Sequence, residues 1–125
     1  MVNKVILVGR LTADPELRLT AAGKPVANLR LAATSFEGRN PDGSSREHTE
    51  YVALVVFGHQ AEVAKRYLGR GRMVYADGRL KTRAWQDAAG QTRRSVEVVV
   101  EHMRFLNSPS EARAREPGAP ISVGG

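Results

Sequence analysis

Side chains through most of this chain repeat with the period of two that belongs to strands, and that period is interrupted once by a short window of helical spacing. The apolar, β-branched run from Val2 to Val8, broken only by Asn3 and Lys4 and followed by Gly9, reads as a strand buried on both faces. Val26 to Ala33 follows a turn signal at Ala22-Gly23-Lys24-Pro25 and reads as a second strand. Ser35 to Ser45, with Gly38, Asn40, Pro41, Asp42 and Gly43, predicts a long hairpin tip, and Thr49 to Phe57 alternates as a third strand ended by Gly58. Ala61, Ala64, Tyr67 and Leu68 then recur on one helical face, with Glu62, Lys65 and Arg66 on the wet side and Gly69 at the C-cap position. Met73 to Trp85 and Arg93 to Leu106 read as two long strands, joined by a hairpin loop at Asp87-Ala88-Ala89-Gly90-Gln91.

Three strands, one short helix and two strands in 125 residues predict an all-β chain built as a five-stranded Greek-key barrel, the OB architecture. The length suits one domain with a real hydrophobic core, assigned to residues 1–106. From Asn107 onward Pro and Gly dominate and Arg113 and Arg115 balance Glu111 and Glu116, so residues 107–125 are expected to form a flexible tail dispensable for binding. The absence of cysteine excludes a disulfide scaffold and thiolate metal sites, and fits a reducing compartment. No apolar run approaches the length of a membrane span, and the strand pattern begins at Met1 without room for a leader, so a cytoplasmic location is expected.

Lys and Arg number 19 against 13 Asp and Glu, a net charge of +6 that favours a polyanionic partner. Most of it is local. Residues 70 to 94 hold seven basic side chains against two acids, a net of +5 in one hairpin. Within its first strand, parity puts Val74, Ala76, Gly78, Leu80, Thr82 and Ala84 on a core face and Tyr75, Asp77, Arg79, Lys81, Arg83 and Trp85 on the other. Three cations in register ending at a tryptophan match what a single nucleic-acid strand requires: charge for phosphates and a ring for a base. The bland reading is a solvated edge strand with Trp85 folded onto the barrel rim.

In the third strand Tyr51 and Phe57 share the parity opposite to the core residues Val52, Leu54 and Val56, which makes both candidate stacking rings; Phe57 as an ordinary core residue is the alternative. Arg18, Arg30 and Arg39 could extend a basic path. Phe36 could be a mobile stacking ring or could pin the hairpin base, while Tyr67 and Phe105 read as packing residues.

Asn3-Lys4-Val5-Ile6-Leu7-Val8-Gly9, Asp14-Pro15-Glu16, Thr49-Glu50-Tyr51, Val56-Phe57-Gly58, Ala61-Glu62-Val63-Ala64 and Gly90-Gln91 occur in the order found in the bacterial single-stranded DNA-binding protein family, which residues 1 to 106 resemble. The resemblance implies sequence-tolerant binding and protection of single-stranded DNA during replication, recombination and repair, in the nucleoid. It places stacking aromatics at Tyr51, Phe57 and Trp85 and basic contacts at Lys81, Arg83 and Arg93, with Arg18 and Arg70 beside them. It also implies a homotetramer built through the first strand, where both parities are apolar, with Asn3, Val5 and Leu7 as the expected interface. Two departures stand out: the family often has a tryptophan where this chain has Glu37, and an acidic C-terminal tip that recruits replication and repair enzymes is absent from the end at Gly125.

An enzyme would need converging acids, bases or metal ligands, and His48, His59 and His102 do not assemble into ligand spacing. Gly69-Arg70-Gly71-Arg72 lacks the Lys-Ser/Thr of a phosphate loop. The expectation is therefore a non-enzymatic binder with neither cofactor nor metal. The alternative is an OB-fold interaction module of the primosomal type, whose basic face serves a protein partner or RNA.

Overall fold

The structure is a computed structural model and describes residues 1–106; the predicted tail lies outside the described residues. In chain order the elements are β1 (Val5–Leu11), β2 (Glu16–Leu19), β3 (Pro25–Arg39), β4 (Ser45–Phe57), α1 (His59–Tyr67), β5 (Met73–Gln86) and β6 (Thr92–Leu106). The sheet runs β1-β5-β6-β4-β3 and closes on itself where Arg10 and Leu11 of β1 pair with Ala32 and Leu31 of β3. The result is the expected five-stranded barrel, with β2 annexed to β3 as a short extra strand. Neighbours are antiparallel except β4 and β6, which run parallel from Ala53 opposite Glu97 to Val55 opposite Val99.

The inward parity of each strand builds the core: Leu29 and Leu31, Leu54 and Val56, Val74 and Ala76, Val98 and Val100, with Ala61, Ala64 and Leu68 brought in by α1. Each fully buried Leu or Val contributes about 1.5–3 kcal/mol relative to exposure. Two glycines let the strands pass closely. A Cβ on Gly9 would lie 2.3 Å from the Ala32 carbonyl oxygen, and one on Gly78 would lie 2.0 Å from that of Val99. Gly78 stands at a bulge, where β6 carries Glu101 as an extra residue between the partners of Gly78 and Asp77.

Several sequence expectations are corrected. Gly9 does not end the first strand, which runs from Val5 through it to Leu11. That strand is not buried on both faces: Val5 and Leu7 pack against the core, whereas Ile6 and Val8 face outward and are exposed. The hairpin tip shrinks to residues 40–44, because the β3–β4 ladder continues through Phe36 opposite Glu47 to Arg39 opposite Ser45. There Asp42 accepts hydrogen bonds from the backbone and hydroxyl of Ser44, so the tight turn is closed locally. The short strand β2 was not expected: its Glu16-Leu17-Arg18-Leu19 alternates, but over only four residues, all of them exposed.

The helix ends at Tyr67, which is exposed rather than packed, and Leu68 takes the core position. Leu68 is itself the C-cap in extended geometry, so Gly69 is not the left-handed cap. In β5 the expected burial of the core parity holds only through Gly78. Beyond the last β1 partner, Val5 opposite Gly78, nothing covers the inner face, so Leu80, Thr82 and Ala84 are exposed and not core. Asp77, expected on the solvent face, is buried.

Candidate nucleic-acid interface

The barrel's outer surface across β2, β3, β4, β6 and β5 is a lattice of cross-strand rows, and register decides which side chains meet. Phe57 stands opposite Val26, which in turn faces Arg18 on β2. Val55 lies between Asn28 and Val99, and Val99 faces Arg79. Ala53 lies between Arg30 and Glu97, and Glu97 faces Lys81; further along, Arg83 faces Ser95 and Trp85 faces Arg93.

These rows enclose a groove of about 200 Å³ whose apolar floor is Val26, Val55 and Val99 and whose sides are Arg18, Phe57, Lys81, Arg83 and Glu97. A second hollow of about 300 Å³ shares Arg18, Val55, Arg83 and Glu97 with it and continues past Asn28, Ala53 and Ser95. Two residues expected to be distant in sequence from the basic hairpin, Arg18 and Phe57, are thus brought to it by the β2–β3 and β3–β4 pairings. A smaller apolar pocket between α1 and β6, lined by His59, Val63, Met103 and Phe105, contains none of these groups.

The aromatic rings remain wet. Phe57 and Trp85 are each 40% exposed, Tyr51 60% and Phe36 61%, too much for core residues of this size. Phe36 sits within the β3–β4 ladder rather than in a loop, and shares the parity of Ala32, the partner of Tyr51. Lys24 stands over the Phe57 ring, with Nζ 5.7 Å from its centroid, and the Arg83 guanidinium stands 4.7 Å from the Trp85 ring.

The basic residues differ in what they touch. Arg83 Nε lies 3.3 Å from Glu97, and Arg93 Nε donates to Asp87 at 2.9 Å. Asp87 also accepts the backbone N–H groups of Ala89 and Gln91; the Arg93 bond first, then these, hold its carboxyl below the usual range. Arg79 and Lys81 are exposed and make no ion pair among the described residues. Arg70 is not brought to the groove: its backbone N–H is tied to Asp14 at 2.9 Å, and it lines neither hollow.

Nearer the start of β5, Asp77 accepts hydrogen bonds from the Tyr75 hydroxyl at 2.6 Å, His102 at 2.9 Å and Lys4 at 3.0 Å. Those donors, Tyr75 first, hold its carboxyl far below the ordinary range. Asn3 uses both ends of its amide on Leu80, donating to its carbonyl and accepting its N–H at 2.9 Å, so it imitates one more rung of the β1–β5 ladder. Ile6 and Val8, rather than the expected Val5 and Leu7, are the outward apolar pair, because the barrel interior claims the other parity.

Sequence reasoning missed Lys24 and Glu97. Lys24 sits in a turn, where parity carries no information. Glu97 could have been found, since it alternates with the core residues Val98 and Val100 and so must face the groove.

Among the described residues no helix is long and apolar enough to cross a membrane. Compared with known proteins, the chain is 41% identical over 118 residues to the Single-stranded DNA-binding protein of Rhizobium meliloti (strain 1021), an alignment covering 94% of this chain and 68% of that protein. The solved structure titled Plasmodium falciparum SSB complex with ssDNA superposes with a TM-score of 0.76 at 27% identity, covering 86% of this chain and 97% of that one. Residues 2–106, the whole barrel, match the Single-strand binding protein family, and the chain belongs to that family.

Proposed function

We propose that the protein is a non-enzymatic binder that covers single-stranded DNA with little regard to sequence, as strands are exposed in replication, recombination and repair. The observation that carries this reading is the groove itself: an apolar floor with Phe57 at its side and Arg18, Lys81 and Arg83 around it, continued by Trp85, Tyr51 and Phe36 on the same outer surface. Bases stack on the rings and phosphates meet Arg18, Arg79 and Lys81. Among the described residues no helix is presented to read base edges, so affinity comes from backbone charge and stacking. The names of the bacterial relative and of the solved complex support the same ligand.

The test is a titration of oligo(dT) and a mixed-sequence strand across a salt series. With three phosphates neutralised, log affinity should fall against log salt with a slope of about −2, at roughly −0.7 per phosphate on a single strand. A salt-insensitive affinity, or a strong preference for one sequence, would reject the reading.

Self-association is part of the proposal. The exposed Ile6 and Val8 give β1 an outward apolar strip suited to a second copy, and a homotetramer is the expected assembly. Light scattering should then return about four times 13.6 kDa, and Ile6→Glu should shift it toward the monomer. The cytoplasm, at the nucleoid, is the compartment this function implies.

A further inference from the structure

Glu97 is an acid among the cations Arg18, Lys81 and Arg83 at the side of the groove, and its position is informative. In register it stands directly opposite Lys81, yet its ion pair is with Arg83 on the diagonal, at 3.3 Å from Nε. Its side chain is only 15% exposed, so a counter-charge at close range offsets much of the cost of desolvating the carboxylate. The same guanidinium lies over the face of Trp85, 4.7 Å from the ring. Arg83 is therefore held between an acid and a ring, whereas Lys81, one pleat away on the same face, has no ion pair among the described residues.

We infer that Glu97 is a positioning residue that clamps Arg83 onto Trp85, so that Arg83 works as part of the stacking platform and not as a phosphate contact. A guanidinium is planar and stacks as an aromatic plane does, and a carboxylate on its Nε edge fixes that plane without covering its face. Phosphate neutralisation at this edge of the groove then falls to Lys81. The inference rests on the binding function proposed above.

Salt slope separates the two roles, because a phosphate contact releases counterions and a stacked plane does not. Oligo(dT) is titrated against the full chain and three variants across the same salt series. Lys81→Ala should flatten the slope by about 0.7. Arg83→Ala should leave the slope unchanged and weaken binding about fivefold or more at every salt concentration. Glu97→Gln frees Arg83 for phosphate and should steepen the slope by about 0.7. It should also change the emission of Trp85, the single tryptophan, before any DNA is added. The clamp is overturned if Arg83→Ala flattens the slope as much as Lys81→Ala does, or if Glu97→Gln alters neither slope nor emission. Failure of the unaltered protein to bind oligo(dT) with any salt dependence would instead sink the binding function, while the Trp85 emission of free Glu97→Gln still reports on the clamp.

Discussion

The two halves of the β5–β6 ladder share one hairpin and one alternation of side chains, but they do different work. From Met73 to Gly78 the ladder is a wall of the barrel: Val74, Ala76 and Gly78 are buried, and β1 covers the strand edge. From Arg79 to Gln86 it projects beyond β1, and every β5 side chain is exposed. Each half holds an acid whose partners show what that half does, Asp77 in the wall and Glu97 in the arm. In the wall, Asp77 is buried and saturated by Tyr75, His102 and Lys4, which leaves nothing over for a ligand. In the arm, Glu97 meets a single guanidinium that remains 58% exposed. Burial turns the first network into a stability element, and its lack leaves the second available for binding.

The largest contrast should come from backbone proximity. Gly78→Ala would force a Cβ against the Val99 carbonyl, and overpacking of backbone on backbone should cost about 3 kcal/mol in urea unfolding. Thr82→Ala, four residues on in the arm, should stay within about 0.5 kcal/mol. Equal effects would erase the distinction between wall and arm.

Trp85→Ala should invert that pattern, costing about 1–3 kcal/mol of single-strand binding per stacked base while the unfolding midpoint barely moves. Emission from Trp85 should be quenched as DNA is added. Emission insensitive to DNA, together with a lowered melting temperature, would assign the ring to packing instead.

The wall's acid should be visible in the pH dependence of stability. Because its donors, Tyr75 first, depress the Asp77 pKa in the folded state, its contribution is present above the unfolded value of about 3.9 and is lost as pH falls through the folded one. Stability should therefore decline in acid below about pH 4, and Asp77→Asn should flatten that decline. An unchanged acid limb would show that the network contributes nothing.

The smallest effect is expected at His48, whose pKa is raised by its hydrogen bond to Glu50 at 2.8 Å on an exposed strand face. A raised pKa stabilises below the unfolded value near 6.5 and the contribution disappears as pH rises through the folded one. Solvent screens this pair, so His48→Gln should shift the unfolding midpoint only at the edge of detection, and only on the acid side of neutrality.

Much of this was legible along the chain because it depends on local periodicity. Alternation from Met73 to Trp85 and from Arg93 to Leu106 located both long strands to within a residue, and alternation likewise set Tyr51 with Phe57 in β4 and Lys81 with Arg83 and Trp85 in β5 on common faces. The helix was found from Ala61 and Ala64, which are indeed buried. Periodicity identifies a face without saying what covers it. Leu80 and Val96 have core-like chemistry and are exposed because the barrel ends before them, while Asp77 is buried because Lys4, just ahead of β1, and His102 of β6 close over it.

Local pattern thus decided the order of elements, the basic hairpin and which residues share a pleat, since a strand's period of two is a property of its own backbone. Barrel closure decided the rest. Only long-range pairing could carry Arg18 and Phe57 to Lys81 and Arg83, turn Ile6 and Val8 outward in place of Val5 and Leu7, and leave Arg70 beside Asp14 away from the groove. Those outcomes depend on register between strands distant in sequence, and register is set by which faces the closed core can bury.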